Sequence, residues 1–420
     1  MRASNTHRSP SGSFWVLCFY VANGSAETLQ AVAILWATYL LTGDALLVGA
    51  INAAAYLPGV ILGLVLRKRA DSGSAARLLS HTNWVLFAGA VILAAVWATG
   101  LPRGTVLMAF VFVQCSLSVV KTLNKAYVGR FIRQNFARPD AIRLVERATS
   151  LALVGGLVGG GVSGLLLDTS GADWCFALAA SLYLVSLAAV WRVTAARSEA
   201  TSASPGRAAS TSVQQKTSES EPIPDIHDSN PGRLRLILLY SVPSSGALPF
   251  VSTLMVPLAN AVAPGSGLFY SVLTVTSMCG GFLAGIALSG GRLSAERILN
   301  GALLAGGALV VGFMVIQWQP AVMLLMLMVT VVLTAHVMVM QVLTNQAPPD
   351  GQVGRFSVVR NAVAGSAKAG FSLLAGWLVN IGSLATAWLV LGALLGVFGL
   401  AWRRLPERYA IGRLIDVGED

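Results

Sequence analysis

Glu27 lies near the middle of one long apolar run and Lys368 near the middle of another. An ionised side chain at bilayer depth costs at least ~2.5 kcal/mol to insert, so residues of this kind mark function before any motif is sought. Tyr20, Asn23, Glu27 and Gln30 follow at i, i+3, i+7 and i+10, which sets them on one helical face. A polar stripe of that sort in lipid must line a cavity or a helix contact. Two readings are open for Glu27: a group that loads and releases a proton or touches substrate, or a structural carboxylate held by a basic neighbour. Lys368 shares a face with Asn361, Ala364, Gly365 and Ser372, and Arg360 lies about two turns away. Lys368 would bind an anionic solute, or pair with Glu27 across a cavity and be displaced when Glu27 takes a proton.

Other polar residues fall within apolar runs. Gln114, Ser118, Lys121 and Lys125 form one face of the fourth run; Lys121 is a candidate cavity cation, although its place near the end of the run favours a headgroup anchor. His336, in mid-run, is a proton or substrate contact by virtue of titrating near neutrality, or a hydrogen-bonded structural histidine. Pro243, Pro249 and Pro257 interrupt the seventh run, where the freed backbone groups permit bending, and Pro249 is a candidate gate. Asn52, Tyr56, Gly59 and Gly63 have the spacing of a packing face, and Glu146 with Arg147 reads as an interfacial pair.

The elements that must position these residues are spanning helices. A chain that is 55% hydrophobic and 11% charged, with a mean hydropathy of +0.70, has more apolar surface than a soluble domain can hide. At about 20 residues per span, twelve candidates stand out: 13–41, 44–66, 78–100, 104–126, 142–167, 173–195, 234–259, 267–289, 297–316, 320–345, 355–379 and 383–402. The gaps between them alternate in charge. Those at 67–77, 121–143, 192–235, 292–297 and 355–360, and the tail from Arg403, are basic. The others carry no Lys or Arg except Arg103 at 100–104. Basic gaps stay inside, so both termini are expected in the cytoplasm of a multi-pass inner-membrane protein.

The formal charge of +11 then belongs to loops beside anionic headgroups, not to a nucleic-acid surface. Cys18, Cys115, Cys175 and Cys279 show no CxxC spacing and the histidines no HExxH cluster, so no metal is expected. There is no GxxxxGK[ST] sequence, which disfavours ATP-driven pumping, and no paired catalytic groups, so neither an enzyme nor a cofactor is expected. A non-transporting sensor is the remote alternative, without the soluble appendage a sensor usually carries. Residues 196–231 are polar and low in complexity, and are expected to be a disordered cytoplasmic linker between six-helix bundles at 1–195 and 232–405, with a tail at 406–420. Small residues concentrate at 155–164, 280–285 and 364–370 in spans five, eight and eleven, where close helix approach suits surfaces that rock.

The stretch ETLQAVAILWATYLLTGDALLVG followed by AAAYLPGVILG, and the later QAPPDGQVGRFSVVRNAV, resemble the major facilitator superfamily, and within it the drug and siderophore exporters related to macrolide efflux pumps and the enterobactin exporter. The resemblance covers essentially the whole chain. It implies an all-α fold of twelve spans in two pseudo-symmetric bundles, and proton antiport by alternating access. Glu27 matches the family's acidic residue in the first helix, which together with His336 would couple protons. Asn23, Gln30, Gln114, Lys121, Arg360, Asn361 and Lys368 would meet the solute. The family's GxLADRxxRR loop reads RKRADSGSAARLL here, keeping Asp71 and Arg77 as candidate gate residues, and the helix-five Gly-Pro pair is replaced by glycines around Gly160. The excess of mid-membrane Lys and Arg over Glu favours an anionic, siderophore-like solute; lipophilic or cationic drugs are the alternative. Partners would be that small molecule, H+ and membrane lipid, with the chain acting as a monomer.

Overall fold

The computed structural model describes residues 10–65, 74–136, 138–202, 231–289, 294–349, 353–406 and 411. Among them the regular structure is helical: α1 (Pro10–Thr42), α2 (Ala45–Ala54), α3 (Leu57–Val65), α4 (Ala75–Ala98), α5 (Arg103–Asn135), α6 (Arg138–Thr169), α7 (Ala172–Ser202), α8 (Pro231–Val262), α9 (Gly267–Ser289), α10 (Ala295–Val311), α11 (Gln319–Gln346), α12 (Val353–Ile381) and α13 (Leu384–Arg404). Ten of these are long and apolar enough to cross a membrane. With α1 and the α2–α3 pair they make up the twelve expected spans. Large apolar side chains such as Trp84, Met108, Phe112, Trp191, Leu324 and Val397 point outward, as a surface solvated by lipid requires.

The second span is broken in two. Pro58 has no N–H to give the carbonyl of Ala54, and the chain tightens just before it, with the N–H groups of Ala55 and Tyr56 reaching the carbonyls of Asn52 and Ala53. The seventh span, by contrast, continues as one helix, α8, through Pro243, Pro249 and Pro257. Its neighbours enclose it, and its buried residues include Ser241, Ser244, Phe250 and Leu254.

One end of the bundle carries the α1–α2, α6–α7, α8–α9 and α12–α13 turns and is called distal here; the end bearing Pro10 is proximal. The distal turns are tight. At the first, Gly43 adopts φ 64°, a left-handed conformation open to glycine at little cost, and its N–H closes on Tyr39 O at 2.7 Å. Asp44 then caps α2 by accepting from the N–H groups of Leu46 and Leu47.

Within the first half, α1 is wedged against α6 and α7. A Cβ on Gly24, Gly155 or Gly159 would run into the backbone of Ala152, Val21 or Ser25 respectively, so the α1 and α6 backbones approach as only small residues allow. Ser25 Oγ donates to Gly155 O at 2.8 Å across the same contact.

Candidate solute path

The α6 contact fixes the rotation of α1. With Val21, Gly24 and Ser25 turned to α6, Glu27 comes round to face α5 at about 100° per residue. There its Oε2 lies 3.3 Å from Lys121 Nζ, and Asn23 Nδ2 donates to its Oε1 at 2.9 Å. The Glu27 side chain is 27% exposed and that of Lys121 31%, so the pair is neither sealed nor fully wet. The sequence favoured a headgroup anchor over a cavity cation for Lys121 and left Lys368 open between binding an anionic solute and pairing with Glu27; in the structure the basic neighbour of Glu27 is Lys121. Gln30, on the same stripe, turns into the first half, where Tyr183 Oη donates to its Oε1 at 3.3 Å. Asn23 Oδ1 and Gln30 Nε2 are buried and have no hydrogen-bond partner among the described residues. Gln114 is buried on α5, and Ser118 Oγ accepts from Gly59 N–H at 2.9 Å, tying α3 to α5.

Two seams join the halves. Along the first, α12 runs antiparallel to α2 and α3. Asn380 Nδ2 donates to Asp44 Oδ1 at 2.8 Å. A Cβ on Gly376 would strike the backbone of Ala45 and Leu46, and one on Gly49 the carbonyl of Ser372. Asn52 Nδ2 lies 3.3 Å from Ser372 Oγ, 3.0 Å from Thr253 Oγ1 and 3.3 Å from Pro249 O. Next along the seam, Lys368 Nζ stands 5.6 Å from the centre of the Tyr56 ring, and then Gly365 meets the Val60 side chain.

The second seam joins α6 to α9. Asp168 accepts from Ser266 Oγ and Leu268 N–H, each at 3.1 Å, Ser163 Oγ and Ser271 Oγ are 3.2 Å apart, and Gly160 faces Val275. Trp36 stacks on Tyr270 with ring centres 5.6 Å apart. These contacts between the halves lie from the middle of the bundle to the distal turns, so the distal side is closed.

The remaining candidates are spread more widely. Arg360 is only 7% exposed; its Nη1 reaches Asn361 Oδ1 at 3.5 Å, and its Nε has no hydrogen-bond partner among the described residues. Asn361 is exposed. Arg360 and Asn361 lie about 12 Å proximal to Lys368 along the α12 axis. His336 is buried within the second half, its Nδ1 2.9 Å from Ser244 Oγ, and touches neither charged site. Arg77 is exposed near the start of α4, with its carbonyl 2.7 Å from His81 Nδ1. Asp71 lies outside the described residues, as does the Lys125 side chain. Among the described residues no group of three or more potential metal-ligating side chains occurs, and all four cysteines are free.

The family model for the Major Facilitator Superfamily matches residues 16–372. The chain belongs to the major facilitator superfamily. It is a multi-pass membrane transporter, and proteins of this superfamily carry small molecules. Solved structures with the same fold include a point mutant of the peptide transporter POT, at 15% identity over 99% of this chain and 97% of that one with a TM-score of 0.68. The xylose transporter XylE from E. coli in an inward-open conformation matches at 13% identity over 94% and 96%, TM-score 0.67. The nucleoside transporter NupG matches at 12% identity over 95% and 98%, TM-score 0.67. No curated protein matches the transporter by sequence. Sequence reasoning missed Asn52 and Tyr56 as more than packing residues of the transporter; their signal was an amide and a phenol spaced one turn apart just before the break in the second span.

Proposed function

We propose that this chain is a secondary active exporter working by alternating access, coupled to protons through Glu27, and that its solute is a small molecule bearing anionic groups of the siderophore kind. One observation carries the anionic reading. Among the described residues within the bundle, the Glu27 carboxylate is already engaged by Lys121, while Arg360, in the other half, is only 7% exposed and its Nε has no hydrogen-bond partner among the described residues. Partly desolvated cations call for compensating charge, which an anionic solute would supply. A cationic drug would enter a field of its own sign and would have to displace Lys121 from Glu27. The closed distal side supports a resting form that takes up solute from the side of the termini, which the charge bias of the loops assigns to the cytoplasm. Separation of the α2–α12 and α6–α9 seams would then open the opposite side. Export, and antiport with it, follows from the resemblance to drug and siderophore exporters.

The Glu27–Lys121 pair favours a second reading of the coupling. A proton on Glu27 releases the charge of Lys121, so proton and anion bind more readily together than apart, as in symport. Secretion by a deletion strain under iron limitation, set against its survival of antibiotics, identifies the solute class. Flux of that solute in proteoliposomes under an imposed pH gradient then separates the couplings: antiport drives solute toward the alkaline side's opposite, the acidic compartment, and symport toward the alkaline one. Glu27→Gln should uncouple either. Unchanged gradient-driven flux in that variant would remove Glu27 from the mechanism.

A further inference from the structure

We infer that the interior of the first half binds a cluster of water molecules, gripped by the amides of Asn83 and Asn124, and that this water supports Asn23 as the hydrogen-bond donor to Glu27. The inference rests on the proposed reading of Glu27 as the group that takes up a proton. It adds what holds that group ionised between protonations.

Four helices of the first half repeat one pattern. Phe19 of α1, Leu79 of α4, Val128 of α5 and Val190 of α7 line one apolar cavity. α1 and α4 run from the proximal to the distal end and α5 and α7 return, so the residues one turn distal are Asn23, Asn83, Asn124 and Ser186. A polar layer therefore lies directly on an apolar one. Asn83 and Ser186 are fully buried and Asn124 is 5% exposed. Ser186 Oγ donates to Leu182 O, but the amides are only half engaged. Asn83 Nδ2 donates to Leu79 O at 2.8 Å and Thr82 Oγ1 donates to Asn124 Oδ1; Asn83 Oδ1 and Asn124 Nδ2 are buried without a partner among the described residues. Turning the Asn124 amide over would strand its oxygen in place of its nitrogen. Asn23 Oδ1 and, one turn beyond Glu27, Gln30 Nε2 are stranded likewise.

Two acceptors and two donors, with no formal charge in the layer, suit water, which both donates and accepts. A buried polar atom left dry is costly, and one buried water answers two to four such atoms at once. The consequence reaches Glu27 through Asn23, whose Nδ2 donates to Glu27 Oε1 at 2.9 Å. Water donating to Asn23 Oδ1 polarises the amide and strengthens that bond, which favours the ionised carboxylate. Glu27 is otherwise faced by Lys121 of α5 and, within electrostatic reach, by Tyr183 of α7, while α6 turns Gly155, Gly156 and Gly159 to α1.

Two measurements test this in full-length protein. In the first, hydroxyl radicals generated from bound water by a pulsed X-ray beam report water beside buried side chains. Phe19 should be oxidised in the parent and spared in the Asn83→Leu/Asn124→Leu double variant, with Phe176, fully buried in the same half, unmodified in both. Oxidation of Phe19 that is absent from the parent, or that persists in the double variant, would overturn the inference. In the second, the infrared carbonyl stretch of protonated Glu27, identified by its loss in Glu27→Gln, is followed against pH. The double variant should take up the proton at a higher pH, by roughly half to one unit, the equivalent of one hydrogen bond. Asn83→Ser, which keeps an oxygen in the layer, should titrate as the parent does. An unchanged or lower titration in the double variant would overturn the link to Glu27. Should the pair not fold, Asn83→Leu alone carries the same two expectations. Gradient-coupled flux that survives Glu27→Gln would instead sink the proposed role of Glu27 and leave the oxidation result standing.

Discussion

At the scale of single residues, the charged side chains were legible because burial of charge is costly wherever it occurs, but their partners were not. Glu27 stands out in the sequence on polarity alone. That it meets Lys121 at 3.3 Å depends on a rotation of α1 dictated by Gly155 and Gly159, which pin Val21 and Ser25 to α6. Nothing in the local spacing of α5 announces this, and the nearness of Lys121 to the end of an apolar run points elsewhere. The same holds for Lys368, whose neighbour is decided by the register of α12 on α2 and α3. The Glu27–Lys121 pair is partly exposed, so its loss should cost at most about 1 kcal/mol of stability. Lys121→Met is accordingly expected to leave the melting temperature of the purified protein within a few degrees of the parent, while coupling of solute flux to a pH gradient falls by about 5- to 150-fold. A drop in melting temperature in step with the drop in coupling would mean that the pair is structural glue.

At the scale of elements, all twelve spans were legible from hydropathy, and the small-residue clusters in spans five, eight and eleven marked helices that do pack closely. What the composition of those clusters could not reveal is which contacts lie within a half and which lie between halves. Gly155 and Gly159 pack α6 on α1 inside the first half, whereas Gly160 and Gly164 of the same cluster face α9 in the other half, and Gly49 and Gly376, outside the clusters, pack α2 on α12 across the seam. The two kinds should respond differently to a bulky substitution. Gly159→Val forces apart helices of one rigid unit, so it should lower the melting temperature. Gly376→Val forces apart units that can separate by moving, so it should shift the closed-to-open equilibrium instead. With about 1–3 kcal/mol for overpacking, that shift is about 5- to 150-fold. Gly301→Val, where an added Cβ would meet nothing within 4 Å, should do neither. Thermal melts and label-to-label distances on the three variants check the distinction, and a Gly376→Val protein that melts early without opening would show that the α2–α12 seam is a fixed core contact.

At the scale of the whole molecule, the decisive feature is where the halves touch. Hydrogen bonds of Asp44, Asn52, Ser163 and Asp168, and the stack of Trp36 on Tyr270, all fall between the middle of the bundle and the distal turns. Proximal to them lie the partly exposed Glu27 and Lys121 and the exposed Asn361. On the proposed orientation, in which the basic gaps and with them the proximal side face the cytoplasm, the polar centre should be reached from within the cell in this form. Asn361→Cys, in protein without native cysteines, offers a direct check. A membrane-impermeant maleimide should label it in inverted membrane vesicles and leave it unlabelled in right-side-out ones. Adding Gly376→Val, which favours separation of the distal seam, should admit the reagent from the opposite face and reduce labelling from the first. Equal labelling in both vesicle orientations would be incompatible with a closed distal side, and labelling only in right-side-out vesicles would invert the topology drawn from the charges. Because the two failures differ in pattern, one experiment separates an error in the conformation from an error in the orientation.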